Sequence, residues 1–317
     1  MNDKIKDWLM DSHPLLKYRV ASDFGYDGNL SDLKKEALED PVIKELISDL
    51  EKWPGHVLKR HNDAKHFIHK LSFLADMDFT IENKDINDIS KRVMEHKSDE
   101  EVYQIKMNIP VVFGGTGKDQ YSWMLCDAPL LIYSLKKTGI PFNQLRNGIE
   151  YLSNLTVEDG YPCAVSPELG RFNGPGKRGT PCPYANLLMA KMFSLFPEKH
   201  KETNVGKAVE FLLSHWKERK KHYLFGIGTD FQKLKYPFVW YDILHFADIL
   251  SHYNHIKNDL RFIDIIETIK KKADPEGLYK AESVWMAWKI LDSGQKKEPS
   301  RWITYNVYRI LKRVYTN

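Results

Sequence analysis

Residues 150–163 read EYLSNLTVEDGYPC: the end of an amphipathic helix, a polar turn, and then a tyrosine. The same plan recurs in RVMEHKSDEEVYQ (92–104), EFLLSHWKERKKHYLF (210–225) and ETIKKKADPEGLYK (267–280), which sets tyrosines at Tyr103, Tyr161, Tyr223 and Tyr279. The three intervals between them are nearly equal. After each tyrosine, across a longer loop in the case of Tyr103, comes a second helix richer in apolar and aromatic residues. Self-similarity at a period of about 60 residues is the mark of a repeat architecture, here one outer and one inner helix per repeat.

The rest of the chain agrees with this unit. Segments such as DPVIKELISDLEKW, KHFIHKLSFLADM, YANLLMAKMFSLF, YDILHFADILSHY and SVWMAWKILDSG place apolar residues at i, i+3, i+4 and i+7, the helical spacing. No series of alternating strands accompanies them. Gly- and Pro-rich stretches, FGGTGKDQ, SPELGRFNGPGKRGTPCP and FGIGTDFQKLKYP, separate the helices and are long enough to carry function. The inner helices are apolar on nearly all sides, as helices are when flanked by one another and backed by an outer layer. An open solenoid needs polar caps and usually shorter repeats. The expected fold is therefore all-α, an α/α toroid of about five to six helical hairpins around a central cavity. It is read as a single domain over 1–317, with 1–55 as an N-terminal helical cap and 56–317 as repeated helix pairs.

Composition bounds the function. The 317 residues are 42% hydrophobic and 28% charged, with a formal charge of +4. This mild basicity suits an anionic small-molecule partner and does not call for nucleic acid. No run of 18 apolar residues marks a membrane span. The start, MNDKIKDWLMDSHPLLKYRV, lacks the continuous apolar region of a signal peptide. Three cysteines do not make a disulfide framework. A cytoplasmic monomer or homodimer acting on a small molecule is expected.

Five segments carry a family resemblance: WPGHVLKRHNDAKHFIHKLSFLADMDF (53–79), NIPVVFGGTGKDQYSWMLCDAPLL (108–131), GYPCAVSPELGRFNGPGKRGTPCPYANL (160–187), GTDFQKLKYPFVWYDILH (228–245) and SVWMAWKILDSGQKKEPSRWITYNVYRILKR (283–313). Across them the chain resembles the terpenoid cyclase and protein prenyltransferase superfamily of α/α toroids, and within it the stand-alone prokaryotic prenyltransferase-like or squalene-cyclase-like proteins. The resemblance implies a transferase, lyase or isomerase that works in a central cavity on an isoprenoid-like substrate. The family's motifs are altered here. The DxDD of alkene-protonating cyclases is reduced to ADMDF, with Asp76 and Asp78, and no DDxxD is present. NDISKRVME (87–95) nearly matches the second magnesium motif, with its serine one position early. Protein prenyltransferases hold zinc through Asp, Cys and His, and the matching types here are Cys182, Asp242 and His245. Their order differs from the family's.

The candidate site residues follow from KYPFVWYDILHFADIL (235–250), where Trp240, Tyr241, Asp242 and His245 crowd one helix end. Asp127 lies eight positions before Leu135, as Asp242 lies eight before Leu250. Two acids at such positions either cap helices or serve as acid and base in a partly dry cavity. In the second reading Asp242 and His245 are catalytic, supported by Asp127 and Asp230. Asp230 in GTDF otherwise satisfies turn amides. Trp240, Tyr241, Trp123, Tyr184 and Trp285 would form substrate walls, although Trp285 and Trp288 also read as core. His61, Lys65, His66, His69 and Lys70 either grip an anion or make a solvated basic face. Arg171, Lys177 and Arg178 lie in a glycine-rich loop open to the same two readings. A toroid that only binds a hydrophobic ligand or peptide, and an α/α barrel acting on carbohydrate, are the rival functions.

Overall fold

Thirteen α-helices and one small antiparallel pair of strands are found among the described residues of the computed structural model, which are 1–172, 174, 179–219 and 230–316. The chain is mostly helical, as its periodicity predicts. The strands, β1 (Ile105–Met107) and β2 (Gln120–Ser122), are too short for alternation to announce them. The helices are α1 (Asp3–Met10), α2 (Pro14–Phe24), α3 (Leu30–Leu38), α4 (Pro41–Leu50), α5 (Phe67–Asp76), α6 (Lys84–Met94), α7 (Ala128–Lys137), α8 (Phe142–Ser153), α9 (Pro183–Phe193), α10 (Thr203–Glu218), α11 (Ile243–Leu250), α12 (Leu260–Lys270) and α13 (Arg301–Tyr315).

Two units emerge from the packing. A middle unit spans Asp49–Gly228, and a terminal unit joins Met1–Ser48 to Thr229–Asn317. The segment 1–55, set apart as a cap by the sequence, thus packs for the most part with the C-terminal helices. In the middle unit α5, α7 and α9 lie side by side, with α8 against α7 and α10 against α9. Every residue of α9 is buried, whereas α8 and α10 bury only one stripe. In the terminal unit α13 packs on both α2 and α11, while α1 and α3 cover α2 and α12 covers α11. No helix is long and apolar enough to cross a membrane among the described residues.

The repeat tyrosines have a structural cause. Tyr103 and Tyr161 are buried and donate their hydroxyls to helix-end carbonyls, Gln144 O and Ser153 O, each at 3.1 Å. Tyr279 is buried too, and its backbone N–H donates to Thr304 Oγ1 at 3.0 Å. Tyr223 lies outside the described residues. The Tyr161 segment is held to α9 by Asn186, whose Oδ1 accepts from Tyr161 N and whose Nδ2 donates to Tyr161 O and Cys182 O, all at 2.9 Å. Gly160, at φ +126°, leaves Asn186 the space a Cβ would take.

Two helical expectations need correction. SVWMAWKILDSG is not a helix: it forms two short 3-10 turns, Met286–Trp288 and Asp292–Gly294. Met286 and Ile290 point to solvent, and Asp292 spends its carboxylate on the start of α13, bonding Ser300 Oγ and Arg301 N. KHFIHKLSFLADM begins its helix only at Phe67, because His66 is its cap.

Candidate functional site

In the terminal unit, Asp242 is the N-cap of α11, with an extended backbone and Oδ1 accepting from Leu244 N and His245 N at 3.0 Å. The capping reading is correct and incomplete. The side chain is buried, and Oδ2 has no hydrogen-bond partner among the described residues. A carboxylate left in so dry a place resists ionisation, and burial pushes Asp242 up to about 7 against the two N–H bonds and the nearby Lys235, which favour the charged form. His245, also buried, meets Trp240 O through Nδ1 at 2.8 Å and stacks on Phe238 at 4.9 Å. Lys235 sits over the Trp285 ring at 3.3 Å, a cation–π contact, and burial lowers its pKa. Trp285 is fixed in turn by Nε1 donating to Pro237 O. Tyr241 is buried and Trp240 half-buried.

In the middle unit the corresponding residue is Asp127, N-cap of α7. Its Oδ1 accepts from Met124 N at 3.1 Å, and its Oδ2 has no hydrogen-bond partner among the described residues. Burial raises its pKa well above the carboxylate range. His61 Nδ1 stands 4.0 Å from that Oδ2, and the His61 and Tyr184 rings are 6.5 Å apart. Burial pushes Tyr184 up, with Cys126, Asp127 and Cys182 adding in the same direction. Trp123 is buried edge-on to Tyr151.

The histidines differ from their expected role. His66 caps α5 through its ring: Nδ1 accepts from Ile68 N at 3.2 Å while Nε2 meets His56 O at 3.0 Å. That geometry requires the neutral tautomer with the proton on Nε2. His69 Nε2 likewise meets His61 O at 2.8 Å. Burial lowers His61 and His66 to about 4 and His69 to about 3. These residues are uncharged at neutral pH and cannot supply the positive charge of an anion grip. Nor do His66 and His69 belong to a solvated basic face, since both are buried; Lys65 is exposed, and Lys70 pairs with Asp49.

Other expected residues sit in settings of a different kind. Asp230 has a 90% exposed side chain paired to Lys233 at 2.5 Å, which lowers its pKa. A solvated carboxylate of this kind is a poor proton donor. Arg171 is exposed, and Lys177 and Arg178 lie outside the described residues. The three expected zinc ligands are divided between the units, Cys182 in the middle one and Asp242 and His245 in the terminal one. No group of three His, Cys, Asp or Glu side chains among the described residues is arranged to hold a metal.

What the sequence reading missed is the company of Cys182. Cys126 stands beside it and beside Cys163, and so links all three cysteines. A signal existed, since Cys126 immediately precedes the N-cap of α7 and Cys182 is the N-cap of α9. Lys235 and Phe238 were likewise passed over. No protein-family model matches the chain, and no curated protein sequence matches it.

Proposed function

We propose that this chain is an enzyme of the α/α toroid class that transfers a proton from a buried carboxylic acid to a small, isoprenoid-like substrate, with a cyclase-like or transferase-like outcome. One observation carries the reading. Asp127 and Asp242 each stand at the N-terminus of a buried helix with one carboxyl oxygen accepting from backbone N–H, Met124 N for Asp127 and the first-turn amides of α11 for Asp242; each keeps an Oδ2 without a hydrogen-bond partner among the described residues and is held toward the protonated form by burial. A carboxylic acid kept neutral near pH 7 is a general acid. In giving its proton to an alkene carbon it becomes a carboxylate in a dry setting, and so a strong base that can take a proton back when the product forms. Aromatic faces at Phe238, Trp240 and Tyr241 suit a substrate that becomes cationic.

The toroid is supported by the spacing of the buried helices. Their N-caps are His13, His66, Asp127, Cys182, Asp242 and Ser300, a near-regular series that keeps the period of the repeat. Six such helices, each preceded by another helix, suit a ring of about five to six hairpins.

The test is turnover in D2O with a panel of prenyl diphosphates and polyprenoid alkenes, read by mass spectrometry. Product carrying one carbon-bound deuterium per turnover is expected. Asp127→Asn or Asp242→Asn, whichever replaces the acid, should slow it by about 10²–10⁴-fold with the fold intact by circular dichroism. An alkene held unchanged in native mass spectra, with no deuterium incorporated, would replace this reading with that of a ligand-binding toroid.

A further inference from the structure

Cys126, Cys163 and Cys182 are well separated in sequence, and backbone pairing brings them together. The segment after Tyr161 runs antiparallel to the approach to α7: Met124 bridges Val165, Leu125 N donates to Ala164 O at 3.0 Å, and Ser166 N donates to Trp123 O at 2.9 Å. Those two bonds flank the Met124–Val165 pair, which therefore sits between ladder bonds, where opposed side chains come closest. Beyond that pair the chain turns into α7, with Asp127 N and Ala128 N both donating to Met124 O, and the turn brings the Cys126 side chain to Cys163 and Cys182. On its other side the same segment pairs with the start of α9, through the Pro162–Pro181 bridge and Cys182 N donating to Tyr161 O at 2.8 Å.

Chemistry distinguishes the three thiols. Hydrogen bonding to Cys163 and Cys182, together with burial, pushes the Cys126 thiol up. Cys182 is pulled down, first by the Cys126 S–H and then by the backbone N–H groups of Ala185 and Tyr184 in the first turn of α9, despite burial. Cys126 and Cys182 are buried, whereas Cys163 is half-buried and borders a cavity of about 710 Å³ lined also by Pro162, Ser166, Gly170, Arg171 and Phe172. Gly174 lies against the Cys163 sulfur, where a Cβ would come within 2.1 Å of it.

We propose that Cys126, Cys163 and Cys182 form a thiol–disulfide exchange site that takes a low-molecular-weight disulfide through the cavity beside Cys163 and ends as a Cys126–Cys163 disulfide. Cys163 as thiolate attacks one sulfur of the small disulfide R–S–S–R; a Cys163–S–S–R bond forms and RS⁻ leaves. The Cys126 sulfur then attacks the Cys163 sulfur, passing its proton to the Cys182 thiolate, and the second RS⁻ leaves as the protein disulfide forms. Two protein thiols are oxidised and one small disulfide is reduced to two thiols.

The experiment treats the full chain with oxidised glutathione, counts free thiols under denaturing conditions and maps linked peptides by mass spectrometry. The count should fall from three to one, with Cys126 joined to Cys163 and no glutathione retained. Cys126→Ala should instead keep one glutathione on Cys163. Cys182→Ser should give the same disulfide about tenfold more slowly, since its proton acceptor is gone and exchange rates follow the thiolate fraction of the attacking sulfur. Three thiols surviving in the wild type, a lasting adduct on wild-type Cys163, a bridge that includes Cys182, or stoichiometric zinc bound by the purified protein would each overturn the proposal.

Discussion

Asp242 does two things at once, and its pH dependence separates them. Its Oδ1 caps α11, which asparagine can also do, while its Oδ2 is buried without a hydrogen-bond partner among the described residues. The folded-state pKa of about 7 lies above the ordinary aspartate value of 3.8, so the folded state holds this proton more tightly than the unfolded chain. The associated stability is fully present below about pH 4 and is lost as the pH rises to about 7. At about 1.4 kcal/mol per pH unit the loss is about 4 kcal/mol. Asp242→Asn should therefore gain on the wild type between pH 4 and pH 8, with the difference in Tm rising by several degrees across that range. A Tm difference that stays flat with pH would mean that the carboxyl is solvated in the folded protein. The sequence placed Asp242 at a helix start and offered capping or acid–base work as alternatives. What it could not supply is the burial of Oδ2, which depends on residues far away in the chain.

At the scale of an element, α5 carries the opposite linkage. His66 and His69 are buried and neutral, with pKa values lowered to about 4 and about 3 from 6.5. Their contribution to stability is present above pH 6.5 and is lost as the pH falls toward 4. Protonating His66 also removes the ring acceptor that caps the helix. Asp127 works in the reverse sense within the same unit, since burial raises its pKa. Acid should thus melt α5 with a midpoint between about pH 4 and 6, read by hydrogen exchange. His66→Asn, which keeps a capping acceptor, should lower the midpoint; a midpoint that does not move would exclude histidine titration as the cause. The helices were legible because a 3.6-residue period shows wherever one face is buried. The histidines were misread for the same reason: spacing reveals which residues share a face, and tells nothing of whether that face meets water. SVWMAW failed differently, since its apolar spacing was helical while Asp292 was committed to the N-terminus of α13.

For the whole molecule, the terminal unit is built from both ends of the chain. α13 is its central member, touching α2 from the N-terminal stretch and α11 from the C-terminal one. A chain ending at residue 298 should lose amide protection in α2 and α11 while α7 and α9 in the middle unit retain theirs, measured by hydrogen exchange with mass spectrometry. Protection lost uniformly through α7 and α9 would show that the two units unfold as one. The period of the repeat predicted the helix pairs and passed over this division, because every repeat looks alike in sequence whether or not its neighbours share a core.

This division also bears on synthesis. The stretch Met1–Ser48 leaves the ribosome long before Thr229–Asn317, with which it packs. With chain growth at roughly 5–20 residues per second, the delay is on the order of tens of seconds. During it α1 and α3 can cover α2, but the face of α2 that packs on α13 has no lasting partner.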